Sequence, residues 1–329
     1  MRERVLITGA SGFVGYHLIN EALKNDLEVF AAVRKSSNIS HLSELNIQYT
    51  DLAYDDPGSL KKNIEEKKYD YIIHAAGLTR ARTIEEYNTV NAQYTYNLAK
   101  AAVDSGVDLK KFVLVSSLAA IGPLNDIEGI IDEQTVPNPV TAYGASKLLA
   151  EQKLKTITGL NYTILRPTAV YGPRDTGIFI FFKQLSKRIE GYIGRAEQRL
   201  SFIYVTDLAT ACVKALTRGE KKAYNLSDGE SYTKYDLGNE ARKILTRKTF
   251  KFHISVNFMK LVATLAEKVS NLKGEAPILN REKLNELTAV NWICSIEQAK
   301  KDIGFEPRYN LNKGVEETIN WYKQNNWHK

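Results

Sequence analysis

The chain has 329 residues, of which 43% are hydrophobic and 25% are charged, and its 45 basic and 38 acidic side chains give a formal net charge of +7. This composition is typical of a globular protein with room for two domains, or for one domain with an added lobe. It excludes a long disordered chain, a collagen-like repeat and a disulfide-rich scaffold. Because the basic residues are spread along the chain and no nucleic-acid-binding motif accompanies them, we expect no nucleic-acid partner.

The cysteine content and the first residues of the chain indicate in which cellular compartment the protein is located. The two cysteines, Cys212 and Cys294, have neither CxxC spacing nor neighbouring histidine pairs, so we expect no metal site and no disulfide. An apolar run begins already at Val5, which leaves no room for the apolar stretch and cleavage site of a signal peptide. No segment approaches the length of a membrane span. We therefore expect a cytoplasmic protein.

The first half of the sequence alternates short apolar runs rich in Val, Ile and Phe with longer segments of helical period. The runs predict strands near 4–8, 27–33, 47–50, 70–74, 111–116 and 161–166. The segments between them predict helices near 12–25, 57–66, 84–105 and 141–158. Helices of this length can connect parallel strands. The order predicts an α/β fold with a Rossmann-type, doubly wound parallel sheet.

Beyond Pro173 the pattern becomes less regular. It predicts helices near 175–189, 206–217 and 233–245, strands near 201–205 and 251–254, and two more helices between 295 and 327. Apolar residues from Val256 to Val269 also fall at helical spacing. For that segment we favour a core or lid helix over a helix on a membrane surface.

No Gly/Ser-rich linker separates the regular half of the chain from the irregular half. We expect residues 1–172 to form the Rossmann domain and residues 173–329 to form mainly a smaller, interleaved C-terminal α+β substrate lobe. Segments near 201–226 are expected to return to the Rossmann domain.

A glycine-rich loop, Thr8–Gly15 with the sequence TGASGFVG, follows the first predicted strand and opens the first predicted helix. Glycines permit a tight turn and a close approach of the backbone to a pyrophosphate, which the free N–H groups of the helix N-terminus attract. A plain glycine turn is the alternative, but the flanking strand and helix favour a dinucleotide site. The predicted cofactor contacts are Gly9, Ser11, Gly12, Phe13, Val14 and Gly15.

The end of the second predicted strand bears on the kind of dinucleotide. NAD-binding proteins usually have a carboxylate there for the ribose 2′-hydroxyl, whereas this chain has Arg34. An arginine can pair with a 2′-phosphate through two hydrogen bonds, and Lys35 and Ser37 are additional donors. The sequence therefore favours NADP, with NAD as the alternative if these residues form only a solvent-exposed basic loop.

The ends of the third and fourth predicted strands supply further cofactor contacts. Asp51 and Leu52 are placed to receive the adenine amine and to flank its ring. We expect His74 to be a packed structural histidine and not a catalytic one. Small residues follow it where the backbone would pass close to a dinucleotide, namely Ala75, Ala76 and Gly77.

Three polar residues form a candidate catalytic set. Tyr143 and Lys147 are four residues apart at the start of a predicted helix, so they share one helix face. A nearby cation favours phenolate and lowers the pKa of a tyrosine toward the working range of a proton shuttle. Ser117 follows the fifth predicted strand and can hydrogen-bond the same substrate oxygen. Most YxxxK pairs are surface neighbours, but the upstream glycine loop and serine favour catalysis.

The sequence resembles the extended branch of the short-chain dehydrogenase/reductase superfamily, the NAD(P)-dependent epimerase/dehydratase family. The resemblance covers nearly the whole chain and rests on five runs: TGASGFVG, YGASK, Leu165–Pro173, Ser201–Ala209 and the Gly-Phe-Glu-Pro that begins at Gly304. It implies that the tyrosine transfers the proton, that the lysine also binds the nicotinamide ribose and that the serine polarises the carbonyl. It further implies that Asn91 supports the site and that cofactor contacts occur at Pro167, Ala169 and Val170.

Positions at which this chain departs from the family patterns indicate to which branch of the family it is most similar. Dehydratases have Thr-Asp-Glu after the fifth strand, whereas the run Ser117–Ala120 has no carboxylate. Nucleotide-sugar enzymes usually have an Asn and an Arg at the positions of Ala169 and Leu200, and apolar side chains there remove hydrogen bonds to a sugar nucleotide.

What remains resembles the hydroxysteroid dehydrogenase and dihydroflavonol reductase side of the family, which reduces or oxidises a carbonyl or alcohol on a largely apolar small molecule. The alternatives are a nucleotide-sugar 4-epimerase with tightly bound NAD and a non-catalytic dinucleotide-binding protein. An intact catalytic set argues against the last. The resemblance also implies a homodimer in which the helices near 84–105 and 141–158 of each subunit pair.

Overall fold

The computed structural model describes residues 2–219, 221–277 and 279–327. The strands are β1 (Arg4–Thr8), β2 (Glu28–Ala32), β3 (Gln48–Thr50), β4 (Tyr71–His74), β5 (Lys111–Val115), β6 (Tyr162–Pro167), β7 (Ala169–Tyr171), β8 (Ile189–Ile193), β9 (Arg199–Leu200), β10 (Phe202–Tyr204), β11 (Ala223–Leu226), β12 (Tyr232–Thr233) and β13 (Phe250–Ile254). The helices are α1 (Phe13–Lys24), α2 (Pro57–Lys67), α3 (Ile84–Tyr87), α4 (Tyr94–Asp104), α5 (Ala142–Lys155), α6 (Thr176–Ser186), α7 (Val205–Lys214), α8 (Asp236–Leu245), α9 (Val256–Lys273), α10 (Arg281–Thr288), α11 (Glu297–Ile303) and α12 (Leu311–Gln324). A π-helical segment, Asn88–Gln93, joins α3 to α4, and 3₁₀ turns lie at Ser40–Leu42 and Leu118–Ala120.

Seven parallel strands form the central sheet in the order β11-β6-β5-β4-β1-β2-β3. Successive side chains of β1 point to opposite faces, so Val5 and Ile7 pack in one core while Leu6 packs in the other. Helices cover both faces, which explains why these strands are almost wholly apolar. The predicted Rossmann-type α/β fold is confirmed.

The order of the strands reverses between β1 and β4, because β2 and β3 extend the sheet on one side of β1 and β4, β5 and β6 extend it on the other. Connections leave in opposite directions at such a point and open a crevice at the carboxyl ends of the strands. The glycine loop after β1, residues 75–77 after β4 and Ser117 after β5 all lie at this edge.

Short strand pairs and helices form a second, smaller layer. β7 pairs with β10 and β8 with β13 in parallel, whereas β9 pairs with β12 in antiparallel direction. The layer has its own core, in which Tyr171, Phe182, Phe202 and Tyr322 are buried. Since β7 directly follows β6 of the central sheet, this layer lies next to the sheet's carboxyl edge.

The structure differs from the sequence prediction mainly after residue 172. The helix predicted near 175–189 ends at Ser186, and Ile189–Ile193 forms β8, where buried and more exposed residues alternate. The ring of Phe252 on β13 packs over Gly191, so a partner distant in sequence specifies this strand. Five further elements were not predicted individually because each is short, namely β7, β9, β11, β12 and α10.

The predicted helix near 84–105 is also not continuous, since it consists of α3, the π-helical segment and α4. Over the described residues, no helix combines the length and the apolar character needed to cross a bilayer.

Candidate active site

The glycine loop is held in a conformation that side chains would prevent. Gly9 has a φ of +67°, and a Cβ on it would lie 2.8 Å from the carbonyl carbon of Ala75. A Cβ on Gly15 would overlap the Gly9 carbonyl oxygen. A Cβ on Gly12 would meet only Gly9 O within 4 Å, so the space in front of α1 is otherwise open. These glycines therefore let β1, α1 and the loop after β4 approach each other closely.

The N-terminus of α1 has free donors. Gly12 is its N-cap residue, and no side chain accepts a hydrogen bond there. The N–H groups at such an end attract anions. The other predicted contacts of the loop, Ser11, Phe13 and Val14, are partly exposed around this end.

Behind the loop, the fourth strand is tied to the first by a buried polar contact. The Thr8 hydroxyl lies 2.8 Å from His74 Nδ1 and accepts a hydrogen bond from the Ala76 N–H at 3.0 Å. Burial lowers the pKa of His74 to about 3, so its imidazole is neutral at physiological pH. His74 thus has a structural role in setting the loop that contains Ala75, Ala76 and Gly77.

A surface cleft of about 280 Å³ lies at the ends of β2 and β3. Its lining includes the predicted residues Arg34, Lys35, Ser37 and Asp51. Both cationic side chains are exposed there, while Leu52 is buried just beyond the cleft. The structure therefore brings together the residues expected around the adenosine end of a dinucleotide.

Helix α5 brings Tyr143 to the turn that follows β5. Thr141 caps the helix by accepting a hydrogen bond from the Gly144 N–H at 3.0 Å. A Cβ on Gly144 would overlap the carbonyl oxygen of Ala119, so only glycine allows the helix to approach the Leu118–Ala120 turn this closely. Ser117 precedes that turn and accepts a hydrogen bond from the Ala119 N–H at 3.2 Å. Tyr143 and Ser117 are thereby held next to each other.

The environment of Tyr143 keeps its phenol protonated. Burial raises the pKa of Tyr143 to about 12; the Ser117 hydroxyl opposes this shift, and Glu286 and Tyr87 add to it. Lys147 is not among the groups that shift this pKa. The expectation that Lys147 lowers the pKa of the phenol is therefore not met in this structure, where burial dominates.

The ammonium of Lys147, one helix turn after Tyr143 on the same face of α5, is buried. Its Nζ donates a hydrogen bond to the Val115 carbonyl at 3.0 Å and would lie 3.3 Å from a Cβ on Gly77. Burial lowers the pKa of Lys147 to about 8, and the nearby Glu151 carboxylate opposes this shift. The absence of a side chain at Gly77 lets the backbone approach the ammonium this closely, and the resemblance assigns that ammonium to the nicotinamide ribose.

Asn91 lies in the π-helical segment and connects three parts of the site. Its amide Nδ2 donates hydrogen bonds to the Leu78 carbonyl and to the Ser146 hydroxyl, and its Oδ1 accepts one from the Leu78 N–H. Because Ser146 lies on α5, Asn91 fixes the loop after β4 against the helix that carries Tyr143. Asn91 is fully buried, so it acts by positioning other groups.

The remaining predicted contacts lie at the junction of β6 and β7. Pro167 is buried at the end of β6, Ala169 is exposed at the start of β7 and Val170 is partly exposed.

Two groups were missed by the sequence reasoning. Glu282 on α10 accepts a hydrogen bond from the Ala142 N–H at 2.7 Å and so caps the helix that carries Tyr143. Glu151 forms a buried ion pair with Arg166 at 2.5 Å and accepts a hydrogen bond from the Ser116 hydroxyl. Glu151 lies four residues after Lys147, a signal that the sequence contained, whereas nothing local indicated Glu282.

These residues fit a nicotinamide dinucleotide. The uncapped end of α1 and the open space at Gly12 suit a pyrophosphate, and the cleft at Arg34 suits the adenosine half. Gly77 lets the backbone of the loop after β4 pass close to the Lys147 ammonium, the group that the resemblance assigns to the ribose of the nicotinamide half.

The fold and the site thus define an NAD-dependent enzyme of the extended short-chain dehydrogenase/reductase type. A sequence model of the NAD dependent epimerase/dehydratase family matches residues 5–227. The chain belongs to this family, which confirms the resemblance found in the sequence.

The relatives span different activities. Ceramide reductase of Caulobacter vibrioides is 26% identical over 328 residues, which are 99% of this chain and 96% of the relative. UDP-glucose 4-epimerase of Vibrio cholerae is 27% identical over 346 residues, which cover 99% and 97% of the two chains. The crystal structure of Thermotoga maritima UDP-glucose 4-epimerase with UDP-glucose has a TM-score of 0.81 at 21% identity and covers 98% of this chain and 99% of that one. The substrate must therefore be argued from the residues of this site.

Proposed function

We propose that this protein is an NAD(P)-dependent oxidoreductase that transfers hydride to or from a largely apolar carbonyl or alcohol, with Tyr143 as general acid or base. The observation that carries the proposal is the convergence of Ser117, Tyr143 and Lys147 beside the glycine loop, with no carboxylate in the run Ser117–Ala120. When bound, the cofactor supplies or accepts the hydride. The chain's own residues position the substrate oxygen and move its proton.

The protonation state of Tyr143 supports carbonyl reduction as the direction of the reaction. With a pKa of about 12, the Tyr143 phenol holds a proton throughout the physiological range and can donate it to the substrate oxygen. The Ser117 hydroxyl beside it can hold that oxygen by a second hydrogen bond. In the oxidative direction, Tyr143 would accept the proton instead.

The second candidate is a nucleotide-sugar 4-epimerase that retains NAD, and the Vibrio cholerae relative favours it. The positions of Ala169 and Leu200 speak against it, because neither side chain can hydrogen-bond a sugar nucleotide. Arg199, next to Leu200, pairs with Glu128 at 3.1 Å and is only partly exposed. The intact catalytic set speaks against a non-catalytic dinucleotide-binding protein.

The test is a panel of apolar ketones and alcohols together with UDP-glucose and UDP-galactose. We expect consumption of reduced cofactor with at least one ketone and no conversion of the sugar nucleotides. Epimerisation of a UDP-sugar without net cofactor consumption would replace the proposal by the second candidate.

We expect NADPH to bind at least several-fold more tightly than NADH, because Arg34 and Lys35 line the cleft that suits the adenosine half. Fluorescence titration with each cofactor measures the two affinities. Arg34→Asp should shift the preference toward NADH. The control is Arg2→Asp, which changes an exposed arginine just before β1, away from the carboxyl ends of the strands, and it should leave the preference unchanged. Equal affinities of the unmodified protein would contradict the NADP preference.

We expect a homodimer that pairs the helical region 84–105 and α5 of each subunit. Size-exclusion chromatography with light scattering at micromolar concentration should return twice the 37.1 kDa of the chain. A mass of one chain would reject the dimer.

A further inference from the structure

Helix α9 has an apolar face that is open to solvent. Of the 13 large hydrophobic side chains exposed in the described part of the chain, five lie on this helix. Their exposed fractions range from 52% to 88%, and they are Phe258, Leu261, Leu265, Val269 and Leu272. Successive members are three or four residues apart, so they occupy roughly a quarter of the helix circumference. We call these five residues the α9 apolar face.

The opposite side of α9 packs on the protein. Ala263 is fully buried, and Arg281 of α10 donates a hydrogen bond to Thr264 Oγ1 at 3.0 Å. The sequence favours a core or lid helix for this segment, and the exposure of Leu261, Leu265 and Val269 does not fit a core helix. Ala263 faces inward, Val256, Met259 and Val262 are partly buried, and the five residues of the α9 apolar face point outward. Exposed apolar side chains grouped in this way are typical of an interaction surface.

The charges around the α9 apolar face are mainly positive. The helix carries three lysines, all exposed, and a single acidic residue, Glu267, which accepts a hydrogen bond from the Arg281 N–H at 2.8 Å. On the neighbouring α10, Glu282 is bonded to the Ala142 N–H and Glu286 pairs with a lysine. These three carboxylates are thus engaged in internal contacts. Glu275, just after the helix, is exposed, and so are the three cations of α9, Lys260, Lys268 and Lys273.

We propose that the α9 apolar face docks on a lipid bilayer with anionic headgroups. An interfacial helix of this kind buries its apolar stripe at the boundary of headgroups and acyl chains while its lysines reach the phosphates. Charge complementarity favours this occupant over a second copy of the chain, which carries the same cations on the same face. The expected homodimer would also use other helices.

Helix α9 is connected to the candidate active site through α10 and the loop after β4. The helix packs on α10, and Glu282 of α10 caps α5 immediately before Tyr143. Arg82, in the loop after β4, donates a hydrogen bond to Gly274 O at the end of α9. The bilayer surface would therefore lie beside the candidate active site, which suits a substrate that is itself held in the membrane. The docking goes beyond the proposed function, and vesicle binding is measured without turnover.

The test is co-flotation of the full-length protein with vesicles of phosphatidylcholine alone and of phosphatidylcholine with phosphatidylglycerol. We expect binding to the anionic vesicles that weakens with added salt, and little binding to the neutral ones. A triple substitution, Leu261→Ser, Leu265→Ser and Val269→Ser, should reduce partitioning by about tenfold or more. The control, Ile130→Ser with Val136→Ser, removes exposed apolar residues that lie outside α9 and should not reduce it.

Cofactor titration and the far-UV circular dichroism spectrum verify that the triple variant is folded. If it is not, Phe258→Trp with brominated lipid gives a second readout, because a tryptophan at the acyl boundary is quenched more strongly than those of the unmodified protein. The proposal would be overturned if the unmodified protein did not bind to anionic vesicles, or if the folded triple variant bound to them as well as the unmodified protein does. It would also be overturned if light scattering showed that the triple variant had lost a dimer, because the face would then belong to the contact with a second copy of the chain.

Discussion

Tyr143→Phe is expected to lower kcat by ~10² to 10⁴ while the affinity for the cofactor changes little. The substitution removes the phenolic proton that, in the proposed reaction, passes to the substrate oxygen beside Ser117. Because the pKa of Tyr143 is raised to about 12 by burial, the phenol is protonated at every pH at which the protein would be assayed. Deprotonation of Tyr143 should therefore cause no loss of reductase activity between pH 6 and 9.

The matched control is Tyr96→Phe, which removes a phenolic hydroxyl from the partly exposed side of α4. It should retain the turnover of the unmodified protein. Steady-state kinetics on an identified substrate, with cofactor titration of each variant, measures both quantities. Near-normal turnover of Tyr143→Phe would show that another group transfers the proton, although the fold and family would stand.

Lys147→Ala is expected to damage both turnover and cofactor binding. The ammonium lies close to the backbone at Gly77 and donates a hydrogen bond to the Val115 carbonyl. In the proposed function it both binds the ribose and fixes the geometry of the site. Loss of one charge-assisted hydrogen bond should weaken cofactor binding by roughly 10- to 100-fold. The change in kcat should be of similar size or larger.

Titration of the same lysine should make the activity decrease at basic pH, which is the basic limb of the pH–activity profile. Burial lowers the pKa of Lys147 to about 8, so the ammonium is mostly charged at pH 7 and loses its proton as the pH rises through 8. Activity and cofactor affinity should fall together above that pH. Lys147→Arg, which stays charged, should remove this limb even if its rate is lower. A basic limb that persists in Lys147→Arg would assign the titration to a different group.

Local features of the sequence explain which parts of the site could be predicted. Gly9 and Gly15 are required by backbone conformation and close contact within one βα unit, so their spacing alone indicates the loop. Tyr143 and Lys147 share a helix face through the period of the helix itself. Ser117 and Arg34 follow strands whose apolar runs are unambiguous. Each of these predictions depends on residues that are neighbours along the chain.

Contacts between distant segments explain what could not be predicted. The partners of Asn91 are 13 and 55 residues away, and Glu282 caps a helix that begins 140 residues earlier. The β8 strand pairs with β13, about 60 residues later in the chain, so nothing local in the sequence indicated it. For α9, periodicity indicated an amphipathic helix, but only the packing of Ala263 determines which side faces the protein.

The pKa of Tyr143 shows a different limit. The sequence indicates that a cation lies one helix turn away, but not how far the phenol is buried or which group the ammonium contacts. In the structure Lys147 bonds a backbone carbonyl, and desolvation of the phenol exceeds every other influence on its pKa. A motif therefore identified the two residues, while their protonation states depended on the packed environment.

The most direct measurement of the proposed reaction follows deuterium from C4 of the reduced cofactor. The protein is incubated with the labelled cofactor and either an apolar ketone that it consumes or a UDP-sugar, and the products are analysed by mass spectrometry. Net hydride transfer predicts one deuterium in the alcohol product for each cofactor oxidised, with the label absent from the sugar nucleotides. An epimerised UDP-sugar formed without oxidation of the cofactor, and no labelled alcohol from any ketone, would contradict the account.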